Sequence, residues 1–134
     1  MRQGMTIGGL AKAAGVNVET IRYYQRRGLI HEPYKPPGGH RRYPSLALEQ
    51  IAFIRRAQQL GFSLAEVQGL LAMSDGKSCR ETRVIAETKV ASLEVHIAHL
   101  QKMRRQLKAL VAKCRKSKGR RFCPVIASLL DKPA

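Results

Sequence analysis

Residues 79–114 read CRETRVIAETKVASLEVHIAHLQKMRRQLKALVAKC. This stretch contains neither glycine nor proline and is rich in residues of high helix propensity. Counted in sevens from the first cysteine, it carries Cys79, Ala86, Leu93, Leu100, Leu107 and Cys114 at one set of positions, and Arg83, Val90, Ile97, Arg104 and Val111 at the interleaved set. A heptad pattern sustained in this way, despite the two arginines, predicts a coiled-coil dimerisation helix.

The two cysteines of this helix lie a whole number of heptads apart, so both fall on the predicted seam. In one straight helix they would be separated by about 50 Å. Antiparallel pairing of two chains would instead place Cys79 of one chain beside Cys114 of the other. We therefore predict a homodimer that has the same thiol cluster at each end of an antiparallel coiled coil.

A third cysteine extends this pattern. Cys123 follows a short basic loop, in which Gly119 is the predicted end of the long helix, and it precedes Pro124 at the start of the apolar run VIASLL. Cysteine followed by proline at this point predicts an N-cap and the first residue of a short helix. The loop is short enough to return Cys123 to Cys114, so each cluster would contain Cys79 from one chain and Cys114 and Cys123 from the other.

The composition indicates a polyanionic partner. The chain has 134 residues, of which 25 are Lys or Arg and 9 are Asp or Glu, giving a formal net charge of +16. Such a balance favours nucleic acid over a membrane surface. No segment has the unbroken apolar length of a membrane span, and the N-terminus has no signal-peptide core, so we expect a cytoplasmic protein without a membrane partner. Three cysteines suit a metal or redox site better than a disulfide framework.

The first thirty residues predict a helix-turn-helix. Thr6 and Asn17 are the predicted N-caps of two short helices, and Gly15 and Gly28 are their predicted ends. An ordinary helical hairpin is the alternative, but the second helix offers cations where a recognition helix would enter a major groove. The predicted DNA contacts on it are Thr20, Arg22, Tyr23 and Arg26.

The next segment, residues 29–45, reads LIHEPYKPPGGHRRYPS and predicts a β-hairpin with its turn near Gly38 and Gly39. A basic hairpin directly after a helix-turn-helix is typical of a wing that contacts phosphates. We assign His40, Arg41, Arg42 and Tyr43 to DNA binding. His40 has no second metal ligand nearby in the sequence, which favours a backbone contact or a turn residue over a metal site.

The remaining signals complete a mainly α fold. Ser45 and Ser63 are predicted to cap a second pair of helices, with Glu66 as the capping-box partner of Ser63. The predicted order is a winged helix-turn-helix DNA-binding domain with the second helix pair (1–74), a linker (75–79), the dimerisation helix (80–116), and a metal-binding loop with a short C-terminal helix (117–134).

The runs MTIGGLAKAAGVNVETIRYYQRRGLI, GGHRRY and IAFIRRAQQLGFSLAEV, followed by a long helix, closely resemble the MerR family of transcription regulators. The resemblance covers nearly the whole chain, and within the family the three cysteines are similar to those of mercuric-ion-responsive members. It implies a dimer on a palindromic double-stranded DNA operator, in a promoter whose spacer is too long. It further implies repression without metal, and activation when the metal-bound dimer untwists the DNA so that RNA polymerase can use both promoter elements.

The ligand set favours a soft ion. Three thiolates without a fourth ligand suit a trigonal mercuric site better than a tetrahedral structural zinc site. We predict one Hg(II) bound by Cys79, Cys114 and Cys123 in each site across the dimer. A regulator of the same family that senses cadmium, lead or zinc is the alternative, and a single cysteine on a heptad seam could also be an inert apolar residue.

Other functional classes fit the sequence less well. The chain has no CxxC motif, nucleotide-binding loop or acid–base pair, so we do not expect an enzyme. A metal-independent architectural DNA-binding protein remains an alternative. His96 and His99 lie near the predicted dyad, and Met103 lies within the rod. None of the three is assigned as a metal ligand.

Overall fold

The computed structural model describes residues 4–116 and 122–131. The mainly α prediction is confirmed, and these residues form six helices in the order α1 (Ile7–Ala14), α2 (Val18–Arg26), α3 (Ser45–Gln59), α4 (Leu64–Leu71), α5 (Cys79–Lys116) and α6 (Pro124–Leu129). The chain forms two compact units, Met1–Lys89 and Val90–Ala134. No helix in the described part is long and apolar enough to cross a membrane. The predicted helix end at Gly119 and the basic loop around it lie outside the described residues.

The helix-turn-helix is formed by capping interactions that are local in sequence. The Thr6 hydroxyl accepts a hydrogen bond from the Gly9 amide at 3.1 Å, and the Asn17 side chain accepts one from the Thr20 amide at 2.8 Å. Gly15 ends α1 in the left-handed conformation, with φ of 71°. A side chain with a Cβ atom is disfavoured there, which explains why glycine makes this turn. The predicted caps Thr6 and Asn17 and the end of α1 at Gly15 are thus confirmed, whereas α2 ends at Arg26 with Arg27 as its C-cap, one residue before the predicted Gly28.

The second helix pair differs from the prediction at one cap. Ser63 and Glu66 form the predicted capping box at the start of α4. Ser45, by contrast, is the first helical residue of α3 and not its cap. Pro44 occupies the N-cap position, where its extended backbone starts the helix without a side-chain hydrogen bond.

One apolar core joins these four helices. Its fully buried members come from all of them, and α1 packs against α2 and α3 while α3 packs against α4. The largest are Leu10, Ile21, Tyr43, Ile51, Ile54 and Val67. This core fixes the orientation of α2, because the inward side of α2 is held by Ile21 and Tyr24.

The predicted β-hairpin is wrong. Between α2 and α3 the described backbone contains only an isolated antiparallel bridge, and it joins Tyr43 to Met5 before α1. The physical reason lies in Pro33, Pro36 and Pro37, which remove backbone N–H donors from one arm of the supposed hairpin. The segment is therefore an irregular wing whose return arm pairs with the N-terminal segment, through hydrogen bonds of 2.9 and 2.7 Å.

The long helix α5 is continuous from Cys79 to Lys116 and has no buried residue in the single chain. Its first three turns belong to the first unit, and the rest belongs to the second. In the second unit the heptad positions remain exposed, among them Val90, Leu93, Ile97, Leu100, Leu107 and Val111. In the same unit, α6 buries Pro124 and Ala127.

We predict that truncating a buried isoleucine and an exposed leucine will change the free energy of unfolding by different amounts. Ile54→Ala should reduce the free energy of unfolding by about 2–5 kcal/mol, because a fully buried side chain leaves a cavity. Leu60→Ala removes an equal number of carbons from a side chain that is 68% exposed, and should change stability by about 0.5 kcal/mol or less. Urea unfolding of both variants measures the difference, and equal effects would contradict the assigned core.

Candidate nucleic-acid interface and metal centre

The outward side of α2 carries a cluster of cations around one aromatic ring. Arg26 and Arg27 lie over the ring of Tyr23, at 5.8 and 5.9 Å from its centroid. Arg22 is exposed and makes only a loose contact of 3.9 Å with Glu19. Solvent-exposed pairs of this kind contribute little, so Arg22 remains available to a polyanion. Thr20 is half-buried, and its hydroxyl donates to the Asn17 side chain at 2.8 Å.

Tyr43 connects the wing to α2 from the inside. Its side chain is 1% exposed, and its hydroxyl accepts a hydrogen bond from the Gln25 amide. The predicted assignment of Tyr43 to DNA contact therefore needs correction, because the ring is part of the core. Its role in the structure is to hold the returning arm of the wing against α2.

Arg41 is engaged within the wing. Its guanidinium lies 2.8 Å from the Glu32 carboxylate, and its Nε donates to the Pro33 carbonyl at 2.9 Å. These contacts join the outgoing and returning arms of the wing in place of the missing hairpin ladder. Arg42 is half-buried beside them, and the structure records no ion pair for it among the described residues.

Together, α2 and the wing enclose a cationic cleft of about 480 Å³. Its lining includes Arg22, Arg26, Lys35, His40 and Arg41, with Glu32 as the acidic member. The structure thus brings together predicted residues from both segments. A cleft with this charge suits the phosphates of a nucleic acid.

The sequence did not reveal the residues of α3 that support this interface. Arg55 of α3 donates to the carbonyl groups of Ala14 and Gly15, each at 3.2 Å, and so fixes the turn between α1 and α2. The Tyr24 hydroxyl donates to Gln58 of α3 at 3.2 Å. Both interactions span more than thirty residues, so no local pattern could have identified them.

Two of the three predicted metal ligands meet in the second unit. The thiols of Cys114, near the end of α5, and Cys123, before α6, share a hydrogen bond. Cys123 occupies the N-cap of α6 without a side-chain capping hydrogen bond. The amides of Ile126 and Val125 nevertheless stabilise its thiolate and lower the pKa of Cys123. The hydrogen bond to Cys123 and the charge there raise the pKa of Cys114.

The third predicted ligand, Cys79, is the exposed first residue of α5 and belongs to the first unit. Among residues 4–116 and 122–131, no three Cys, His, Asp or Glu side chains of a single chain are placed to hold a metal ion together. The Cys114–Cys123 pair is chemically suited to a soft ion, since thiolates are soft ligands. A third thiolate would have to come from outside that pair.

Comparison with known proteins places these features in a family. Residues 5–74 match the family described as MerR HTH family regulatory protein, and residues 48–110 match the one described as MerR, DNA binding. The mercuric resistance operon regulatory protein of Shigella flexneri is 48% identical over 127 residues, which cover 95% of this chain and 88% of that protein.

Solved structures agree with the sequence comparison. A transcription regulator from Ralstonia metallidurans in complex with lead(II) has a TM-score of 0.78 and 30% identity, covering 93% of this chain and 98% of that one. A dual-function regulator from Bacillus megaterium in complex with mercury(II) has a TM-score of 0.66 and 35% identity, covering 97% and 99% of the two chains. The relatives of this chain are transcription regulators and not enzymes. This chain belongs to the MerR family of helix-turn-helix regulators.

Proposed function

We propose that this protein is a cytoplasmic mercury-responsive transcription regulator. As a homodimer it binds a palindromic double-stranded DNA operator and represses the promoter without the ion. With Hg(II) bound, it distorts the same DNA so that RNA polymerase can begin transcription. The single observation that carries this proposal is the Cys114–Cys123 thiol pair, in a chain whose other unit is a helix-turn-helix domain.

The exposed seam of α5 supports the dimer. Heptad positions such as Leu93, Leu100 and Leu107 are between 38% and 58% exposed in the single chain. Leu100 and Leu107 line part of a groove of about 830 Å³ together with Met103 and Val111. A contiguous apolar surface of this kind is unfavourable in water, and antiparallel pairing with a second copy would cover it.

The same pairing supplies the third ligand. In the antiparallel register, Cys79 of one chain is opposite Cys114 of the other, so Cys79 from one chain would join Cys114 and Cys123 from its partner. Each dimer then has two sites, with one Hg(II) in each. The ion supplies strong bonds to soft sulfur, and the residues of this chain supply the thiolates and hold them in place.

Cys123 is the thiol best prepared to receive the ion. Metal binding requires deprotonated sulfur, and the amides of Ile126 and Val125 lower the pKa of Cys123. Cys114, whose pKa is raised by its neighbour, ionises after it.

For DNA binding we propose that Thr20, Arg22, Tyr23 and Arg26 face the major groove, while His40, Arg41 and Arg42 lie along the backbone. Activation does not require release from DNA. It requires that the mercury-bound dimer favour the untwisted promoter over the relaxed one, since a ligand shifts an equilibrium only through its different affinity for the two states.

A sensor of lead(II) is the second candidate, favoured by the likeness to the lead-bound regulator. Lead(II) is also thiophilic, so the same ligands would serve. Titrating both ions against operator-bound dimer distinguishes the two functions, because the physiological inducer should activate transcription at the lower concentration.

Selective alkylation checks the order in which the thiols ionise. In metal-free protein near neutral pH, iodoacetamide should modify Cys123 faster than Cys114, because the pKa of Cys123 is lowered and that of Cys114 is raised. The difference in rate should narrow as the pH rises above both pKa values. Peptide mass spectrometry measures both rates, and faster modification of Cys114 at neutral pH would contradict the assignment.

The salt dependence of operator binding checks the wing. Arg42→Ala should weaken binding to all DNA sequences and reduce the slope of log affinity against log salt by about one, since one phosphate contact is lost. Arg56→Ala removes an equal charge from an exposed position of α3 outside the proposed interface, and its slope should stay unchanged. Equal slopes for the Arg42 variant and the wild type would remove Arg42 from the interface.

Mixed dimers test the proposed function directly. Homodimers of Cys79→Ala and of Cys114→Ala should each lose tight mercury binding. A heterodimer of the two variants should recover one site, because one end keeps Cys79 from the second chain and both Cys114 and Cys123 from the first.

A matched heterodimer of Cys114→Ala with Cys123→Ala provides the control. It should recover no site, since these two ligands are proposed to come from the same chain. Mercury titration followed by thiolate–mercury absorption measures all four dimers. Failure of the first heterodimer to bind, or recovery by the second, would show that the ligands are not divided in the proposed way.

A further inference from the structure

Three residues connect α4 to the first turns of α5, and we call Phe62, Glu66 and Lys89 the clasp. We infer that Lys89 is a positioning residue that fixes the segment Cys79–Lys89 to α4, so that a movement imposed on Cys79 reaches the DNA-binding helices. The inference rests on the proposed function, because that function makes Cys79 a metal ligand.

The clasp contains the least exposed ion pair among the described residues. Lys89 Nζ lies 2.8 Å from Glu66 Oε1, and it also lies over the Phe62 ring at 5.5 Å from the centroid. The Lys89 side chain is only 15% exposed. Limited exposure of the ammonium and its contact with an aromatic face both strengthen such a pair relative to one in open water.

A second ion pair on the same helix shows the contrast. Arg83 and Glu87 are 3.5 Å apart, and their side chains are 64% and 68% exposed. Both residues lie on α5, so their contact cannot fix that helix to anything else. The clasp, by comparison, crosses from one helix to another over 23 positions of the sequence.

Hydrogen bonds with Ser63 also hold the Glu66 side chain in place. The same Oε1 atom accepts the Ser63 amide at 2.8 Å, and the Glu66 amide donates to the Ser63 hydroxyl at 3.2 Å. The hydrogen bond from Lys89, followed by those from Ser63, lowers the pKa of Glu66 to about 2. Its carboxylate therefore remains charged at neutral pH and presents a fixed partner to Lys89.

From α4 a continuous series of contacts leads to the recognition helix. α4 packs on α3. From α3, Arg55 binds the carbonyls of the turn before α2, and Gln58 binds the hydroxyl of Tyr24 on α2. Packed elements joined by hydrogen bonds can carry coupling between distant positions.

The covalent connection between α4 and α5 alone would transmit less of a movement at Cys79 to α4 than the connection and the clasp together. Between α4 and α5 the chain passes through Asp75 and Gly76, and Gly76 has a φ of 75° in the left-handed region. Such a turn changes direction easily when nothing else joins the helices. The packing of Ile85 on the core and the contact of the Thr82 hydroxyl with the Met73 sulfur at 3.7 Å also hold the start of α5. The clasp adds an ion pair at the far end of this segment, so that Cys79–Lys89 turns together with α4.

Two variants separate this role from folding and binding. Lys89→Met keeps the aliphatic stem beside Phe62 but removes the charge. Glu66→Gln keeps an oxygen for the Ser63 amide, since glutamine also serves in capping boxes, but removes the carboxylate. In each variant, mercury-induced transcription should fall about fivefold or more. Mercury affinity of the DNA-free dimer and operator affinity of the metal-free dimer should both stay within about twofold of wild type.

Controls define what would overturn the inference. Lys89→Arg should retain induction, and so should Glu87→Gln, which breaks the exposed pair on the same helix. The double variant Glu66→Gln/Lys89→Met should be no worse than either single variant, because the two residues act through one contact. Normal induction in Lys89→Met, or a parallel loss of operator affinity, would refute the positioning role.

Hydrogen exchange separates this inference from the proposed function. In the metal-free dimer, amides of residues 83–89 should exchange about fivefold faster in Lys89→Met than in wild type, because local opening becomes easier. If the wild-type protein gives no mercury response, the proposed function fails, and exchange still decides whether the clasp exists. Unchanged exchange would refute the clasp itself.

Discussion

The uncovered apolar seam of α5 is the constraint on which the assembly depends. Beyond Lys89 the heptad positions of this 38-residue helix are exposed in the single chain, whereas most helical stability in proteins comes from packing of an apolar face. Val90, Ile97 and Leu100 are exposed in the single chain, and in the proposed antiparallel dimer a second copy would cover them. We propose that this pairing also completes the metal site. The same contacts would then stabilise the dimer and bring the thiols of two chains together.

The boundary between the two compact units separates the proposed metal ligands of one chain. Cys79 and Lys89 belong to the unit that contains the helix-turn-helix, whereas Cys114 and Cys123 belong to the other. A site that crosses the dimer would therefore join the DNA-binding unit of one chain to the second unit of its partner. In that case the free energy of mercury binding to the thiolates would change the angle between the two DNA-binding units of the dimer, provided that the start of α5 is firmly attached to α4.

The parts of the fold that the sequence predicts are those formed by residues close together in the chain or by a regular repeat. Thr6, Asn17 and Ser63 are visible as caps because each bonds an amide three residues away. The heptads of α5 are visible because their period is regular. The β-hairpin is mispredicted because the arms of the wing are joined by the Arg41–Glu32 ion pair, and the returning arm pairs with Met5 and not with the outgoing arm. Tyr43 was misassigned for a related reason, since its burial depends on Gln25 and on a core formed by distant helices. The contacts of Arg55 and Lys89 likewise depend on tertiary structure, and Lys89 looks like any surface cation in the sequence.

Linkage sets a condition on the proposed switch. If mercury favours the untwisted operator complex by some factor, the untwisted operator must raise the affinity for mercury by the same factor, because coupling free energies between two binding equilibria are reciprocal. The relaxed DNA of the repressing complex then holds the site in a form that binds mercury less well. The thiol pair would offset this, since the lowered pKa of Cys123 favours its thiolate before the site closes. In the proposed switch, capture by one sulfur and closure by the others would be separate steps. The free energy of closure, and not that of first capture, would then be the part available to change the twist of DNA.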